Sequence, residues 1–126
     1  MTPCLMRASQ LHLMIAGLFG ALGVGLWAYA THTGQPSAAI AAQMLLIHAA
    51  ALVALTAARK LDLLPGRAAI YLISLMAVGV ILFSGDLAMR ALAGQRLFAM
   101  ASPTGGMLMI ASWLGLAVLP LIRRGA

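Results

Sequence analysis

Four apolar runs, each long enough to cross a bilayer, fill most of this chain and leave only short polar breaks between them. Hydrocarbon offers no partner to an open backbone, so a segment that crosses it must be a helix or a strand of a closed barrel. None of the four runs alternates apolar with polar residues as a barrel strand does. A helix of about 20 residues spans the ~30 Å hydrocarbon core at roughly 1.5 Å per residue. The expected fold class is therefore all-α: an integral membrane four-helix bundle, a single membrane domain over residues 1–126.

The first span is placed at residues 11–30, after a short leader whose one charged side chain is Arg7. Ala28-Tyr29-Ala30 has the small-x-small form of a signal cleavage site, but the apolar core of a signal is shorter than this run. A retained helix is expected. Thr31-His32-Thr33-Gly34-Gln35-Pro36 forms the first break, with Ser37 a candidate cap for a second span at residues 37–58. Arg59-Lys60 ends that span, and Pro65-Gly66 marks the turn that follows. The third span covers residues 68–93, its membrane part reaching about residue 86, with Gly94 as the stop. Residues 95–104 form the last connection, where Pro103 argues against helix. The fourth span covers residues 105–122 and ends at Arg123-Arg124.

Only 8% of the residues are charged and 63% are hydrophobic. A soluble domain carries about a quarter charged residues, so this chain has no polar coat to present to water. Its eight basic residues outnumber two acidic ones, but they flank the spans and do not form a stripe interleaved with aromatics. A nucleic-acid partner is not expected. Four crossings put both termini and the middle connection on one side, with Arg7, Arg59, Lys60, Arg67, Arg123 and Arg124. The other side holds Arg90 and Arg96. Basic residues concentrate on the cytoplasmic side of membrane proteins, so both termini are expected to be cytoplasmic.

Because lipid-facing and buried faces are both apolar here, run length is informative and periodicity is not. Small residues give one further signal. Gly17, Gly20, Gly23 and Gly25 crowd the first span, and Ala111 and Gly115 stand four apart in the fourth. Such spacing lets helix backbones approach closely, so Gly17, Gly20, Gly23, Ala111 and Gly115 are expected at helix contacts.

His48 falls near the middle of the second span, where a polar side chain needs a partner. Two readings stand: a relay or ligand-contacting group, or a neutral imidazole bridging two helices. Asp86 and Arg90, four apart with the acid first, suit an ion pair near the outer end of the third span, with Asp86 only partly desolvated. These three are the candidate polar site. His12, His32 and His48 lie at different depths, so paired axial ligands for a haem are not expected. No Cys/His cluster, paired carboxylate, phosphate loop or Ser-His-Asp arrangement is evident, so no catalytic residue, metal or cofactor is assigned. Cys4 is a lone thiol. Trp27, Tyr29 and Tyr71 fall near interfaces, whereas Trp113 is mid-span and reads as a packing or lipid-facing residue. The nine Met read as flexible apolar filler.

Several segments taken in order carry a resemblance. Gly20-Ala21-Leu22-Gly23 resembles a Gly-Ala-Phe-Gly-Ala-His signature, and His48 precedes a small-apolar run, Ala49-Ala50-Ala51-Leu52. Leu82-Phe83-Ser84-Gly85 resembles Leu-Phe-Ser-Gly-Ser, and Ser102-Pro103-Thr104-Gly105-Gly106 resembles Thr-Pro-x-Gly-Gly, with Trp113 beyond it. The set resembles the YgdD/YwdK-type family of small inner-membrane proteins, a domain of unknown function. The resemblance implies a four-helix protein of the bacterial plasma (inner) membrane and supplies no activity. Gly25 stands where the first signature has His, Met44-Leu45 where a Tyr-Gln pair often precedes the mid-membrane His, and Asp86 where the second Ser falls.

The expected function is non-catalytic: an accessory or stabilising subunit of a larger membrane complex, with the lipid bilayer, other membrane subunits or further copies of the chain as partners. The alternative is a small transport or lipid-handling protein with His48 lining a cavity and Asp86 and Arg90 at its mouth.

Overall fold

Each apolar run folds as one continuous α-helix in the computed structural model, which describes the backbone of residues 3–124 and the side chains of residues 7–122. The helices are α1 (Pro3–Thr33), α2 (Pro36–Lys60), α3 (Gly66–Ala93) and α4 (Ala101–Arg124). All four are long and apolar enough to cross a membrane, and no strand occurs among the described residues. The chain is a multi-pass, all-α membrane protein. The side chains of Cys4, Arg123 and Arg124 lie outside the described residues.

The helix ends follow turn chemistry. Gly34 takes a left-handed φ of 70° and its N–H reaches Ala30 O, closing α1 one residue before Gln35. Gly94, at φ 68°, closes α3 by donating to Arg90 O, as its place after the third run implied. Without a Cβ, glycine adopts this conformation at little cost. Between α2 and α3 the left-handed position falls to Asp62, at φ 60°.

Three boundary expectations are corrected. Helix α1 starts at Pro3, well before residue 11, because nothing between Pro3 and Leu11 breaks a helix and hydropathy marks only the lipid-crossing part. Ser37 is not the cap of α2: Pro36 occupies the first turn, Gln35 precedes it, and no side chain caps it. Pro103 does not bar helix either. It sits in the first turn of α4, where no N–H is needed and the ring is tolerated.

Successive helices run antiparallel and pack on one another, while α1 and α3 meet as parallel neighbours. The core lies between α2 and α3, where Leu52, Ile73, Met76 and Val80 are fully buried. Phe19 closes it from α1, and Met109 and Leu116 from α4. Small residues set the two hairpins. A Cβ on Gly23 would meet Leu46 Cγ at 2.8 Å, and one on Gly115 would meet Leu72 Cδ2 at 2.8 Å; Gly20 faces Ala49 at an ordinary 4.0 Å. Gly17 has nothing within 4 Å of such a Cβ, and Ala111 is exposed. Neither is a packing point, because helical rotation turns both toward lipid. The closest approach is one the spacing did not reveal: a Cβ on Gly105 would lie 2.5 Å from Gly79 O and 2.6 Å from Phe83 N. There α3 and α4 touch backbone to backbone.

Candidate functional site

Intramembrane polar side chains gather in three tiers, each tying different helices. The middle tier is His48. Its Nδ1 lies 2.8 Å from Met44 O, one turn earlier on α2, and a carbonyl only accepts, so Nδ1 carries the proton. Its Nε2 then accepts from Trp113 Nε1–H of α4 at 3.2 Å. The rings are tilted by 56° with centroids 5.9 Å apart. His48 is 4% exposed and both nitrogens are engaged, so the imidazole is satisfied without a ligand. Trp113 is 43% exposed: its indole lies against lipid with its N–H turned inward.

The far tier, opposite the termini, centres on Asp86. Its side chain is 0% exposed, and it lies seven residues before the end of α3, about 10 Å along the axis. Oδ2 accepts from Arg90 Nη2 at 2.7 Å and from Ser102 Oγ at 2.8 Å, and Oδ1 accepts from the Leu97 backbone N–H at 2.8 Å. The expected interfacial pair with a partly desolvated acid is corrected here. The turn at Gly94 folds residues 95–100 back over α3, removing Asp86 from solvent and making one carboxylate a clasp for α3, the connection and α4. Ser84, two residues earlier and therefore turned to another side of α3, donates to Ala41 O at 3.1 Å and ties α3 to α2.

The near tier, toward the termini, escaped the sequence reading. Arg59, placed there as a flanking charge, is 3% exposed and its guanidinium donates to Ser9 Oγ. His12 is 2% exposed and its Nε2 lies 2.9 Å from Ser74 Oγ of α3. Thr56 is also buried, on α2. The available signal was spacing: Ser9 and His12 stand three apart, as do Thr56 and Arg59, which puts each pair on one helix face.

The three candidate residues do not form one site. His48 belongs to the α2–α4 contact, and Asp86 and Arg90 to the α3–α4 connection. Among the described residues no group of three or more His, Cys, Asp or Glu is placed to hold a metal ion.

A sizeable cavity among the described residues is apolar. A groove of about 460 Å³ runs between α1 and α3 in the half of the bundle opposite the termini, floored by Leu45 of α2. Small side chains carve it: Ala21 and Gly25 on α1, Ser84, Gly85 and Ala88 on α3. Tyr29 OH donates to Ala91 O at 3.3 Å beside its outer end.

Residues 16–106 match the family model described as "Protein of unknown function (DUF423)". No curated protein and no solved structure matches the chain. The match covers more than half of the sequence, from the core of α1 through the Ser102–Gly106 segment, and the chain belongs to this family.

Proposed function

We propose that this DUF423 member is a non-catalytic scaffold, an accessory or stabilising subunit of a larger membrane complex. One observation carries the reading: the ionisable side chains His12, His48 and Asp86 are buried within the spans, and each is bonded to another residue of the bundle. His48 closes on Met44 and Trp113, Asp86 on Arg90, Leu97 and Ser102, and His12 on Ser74. Intramembrane ionisable groups that serve transport face a water-filled path or one another in a relay. Here each holds a helix contact instead, and large apolar side chains such as Leu18, Leu22, Ile110 and Leu114 face outward. The geometry disfavours the alternative in which His48 lines a transport cavity, since its ring has no nitrogen to spare.

The bacterial plasma membrane, with both termini in the cytoplasm, is the setting proposed on the six-to-two division of basic residues. Within the family, the ordered segments described above favour the YgdD/YwdK-type branch. Gentle solubilisation from its native membrane followed by native mass measurement tests the role. Co-migration with a defined partner at fixed stoichiometry is expected; a chain that always migrates alone overturns the proposal.

A further inference from the structure

We propose that the groove between α1 and α3 holds one acyl chain of an anionic phospholipid, whose phosphate is met by Arg96 at the rim. The proposal goes beyond the scaffold role and does not depend on it.

The groove exists because α1 and α3 are pinned at both ends and not between. The two helices run parallel with the same offset of 62 residues at His12–Ser74 and at Tyr29–Ala91. Between those pins, Gly25 on one wall and Gly85 and Ala88 on the other leave a slot open on one side, with Leu45 at its floor. From Phe19 to Tyr29 the slot is about 15 Å long at the helical rise, half the ~30 Å hydrocarbon core. That is the depth of one leaflet.

This length selects the occupant. A transmembrane helix of a partner would need to continue through the other leaflet, but α1 and α3 are joined there by His12 and Ser74. A single lipid tail ends where the slot ends. Its lining is almost wholly apolar, so a tail gives up no polar contact on entering.

Charge selects the headgroup. The face opposite the termini carries Arg90 and Arg96 against a single acid, Asp86, and Asp86 is committed to Arg90. Arg96 is exposed. Its neighbour Leu97 comes within 3.2 Å of where a Cβ on Gly85 would be, and Gly85 lines the slot. The connection therefore lays a basic residue, with exposed Leu97 and Phe98, along the rim at headgroup depth. A cation beside apolar anchors at this level suits an anionic phosphate.

The test uses the full chain in nanodiscs of equal phosphatidylglycerol and phosphatidylcholine with matched tails, released for native mass spectrometry. Wild type is expected to retain one lipid, with phosphatidylglycerol favoured about fivefold, the worth of one basic residue near a headgroup. Gly25→Leu adds a side chain where nothing lies within 4 Å and should lose the bound lipid of either kind. Ala88→Leu, from the opposite wall, should do the same, which guards against a folding defect in either variant. Gly17→Leu, on the same helix outside the slot with equally open space, should retain lipid as wild type does. Arg96→Gln should keep one lipid and bring the two headgroups to near parity. Equal retention by Gly25→Leu and wild type, or equal loss by Gly17→Leu, makes the lipid merely annular and overturns the site. An unchanged headgroup preference in Arg96→Gln overturns the phosphate contact. A dimer dispersed by Gly25→Leu with lipid retention unaltered gives the slot to a second copy instead.

Discussion

Replacing Asp86 by alanine should loosen the α3–α4 connection more than any other single polar substitution in this chain. The carboxylate is inaccessible and accepts three hydrogen bonds, from Arg90, Ser102 and the Leu97 backbone. A hydrogen bond to a charged group contributes roughly 1.5–3 kcal/mol. The three are not simply additive. Arg90 is 34% exposed, so its share falls toward the modest value of a solvated pair, and the Leu97 N–H regains water once the connection lifts. A net loss of about 2–4 kcal/mol follows, at the lower edge of the roughly 3–5 kcal/mol for breaking a buried ion pair.

Asp86→Asn separates the terms. Its amide oxygen still accepts from Leu97, and its NH2 can donate to Ser102, but it faces Arg90 donor to donor. About 1–2 kcal/mol should be lost. Reversible unfolding of the reconstituted chain gives the energies, and hydrogen exchange at the Leu97 amide gives the mechanism. That amide should exchange at least tenfold faster in Asp86→Ala and change little in Asp86→Asn. A stability change within about 0.5 kcal/mol for the alanine variant, typical of an uninvolved surface position, would refute the clasp. So would a Leu97 amide indifferent to the substitution.

Three further outcomes follow from the same geometry. Gly105→Ala should cost about 1–3 kcal/mol in thermal unfolding, because its Cβ would enter the backbone of Gly79 and Phe83, whereas Gly17→Ala, facing open space in a helix, should be neutral or stabilising by about 0.5–1 kcal/mol. Trp113→Phe should cost about 1–2 kcal/mol by leaving buried His48 Nε2 without a donor, and nitrogen chemical shifts of the His48 ring should show the Nδ1–H form in wild type. Cysteine placed at Gly34 should react with an impermeant maleimide from outside the cell, and cysteine at Lys60 only after the membrane is opened; the reverse pattern overturns the orientation proposed from the basic residues.

Run length made the number of crossings legible, because lipid forbids an unpaired backbone and leaves few ways to cross. Gly94 as the stop of α3 was legible for a similar reason: turn chemistry is local. Which face of each helix meets another was not. Gly17 and Gly20 look alike in the sequence, yet one faces open space and the other Ala49, since both faces of α1 are apolar and rotation leaves no hydropathic trace. Gly79 and Gly105 matter more than either, and nothing in their runs marks the face on which they meet. Asp86 showed only Arg90, four residues on. Leu97 and Ser102 join it through a turn whose path no local spacing encodes. Arg59 looked like a flanking charge because its chemistry is that of one, and only the extension of α1 back to Pro3 brings Ser9 over it.

The placement of α4 shows what the polar tiers accomplish. Close backbone approach joins α4 to α3 and not to α1 or α2. In hydrocarbon, an apolar helix that slides or turns against its neighbour exchanges one apolar contact for another, so burial alone fixes neither height nor rotation. Ser102, Gly105 and Trp113 fix both. At 100° per residue they fall within roughly 80° of one another around α4, on the face that also buries Met109 and Leu116. Ser102 must reach Asp86, Gly105 must meet Gly79, and Trp113 must find His48 across the gap to α2. A shift of one residue turns the helix by 100° and breaks all three together. The His48–Trp113 bond is thus the contact through which α2, otherwise distant, senses the register of α4.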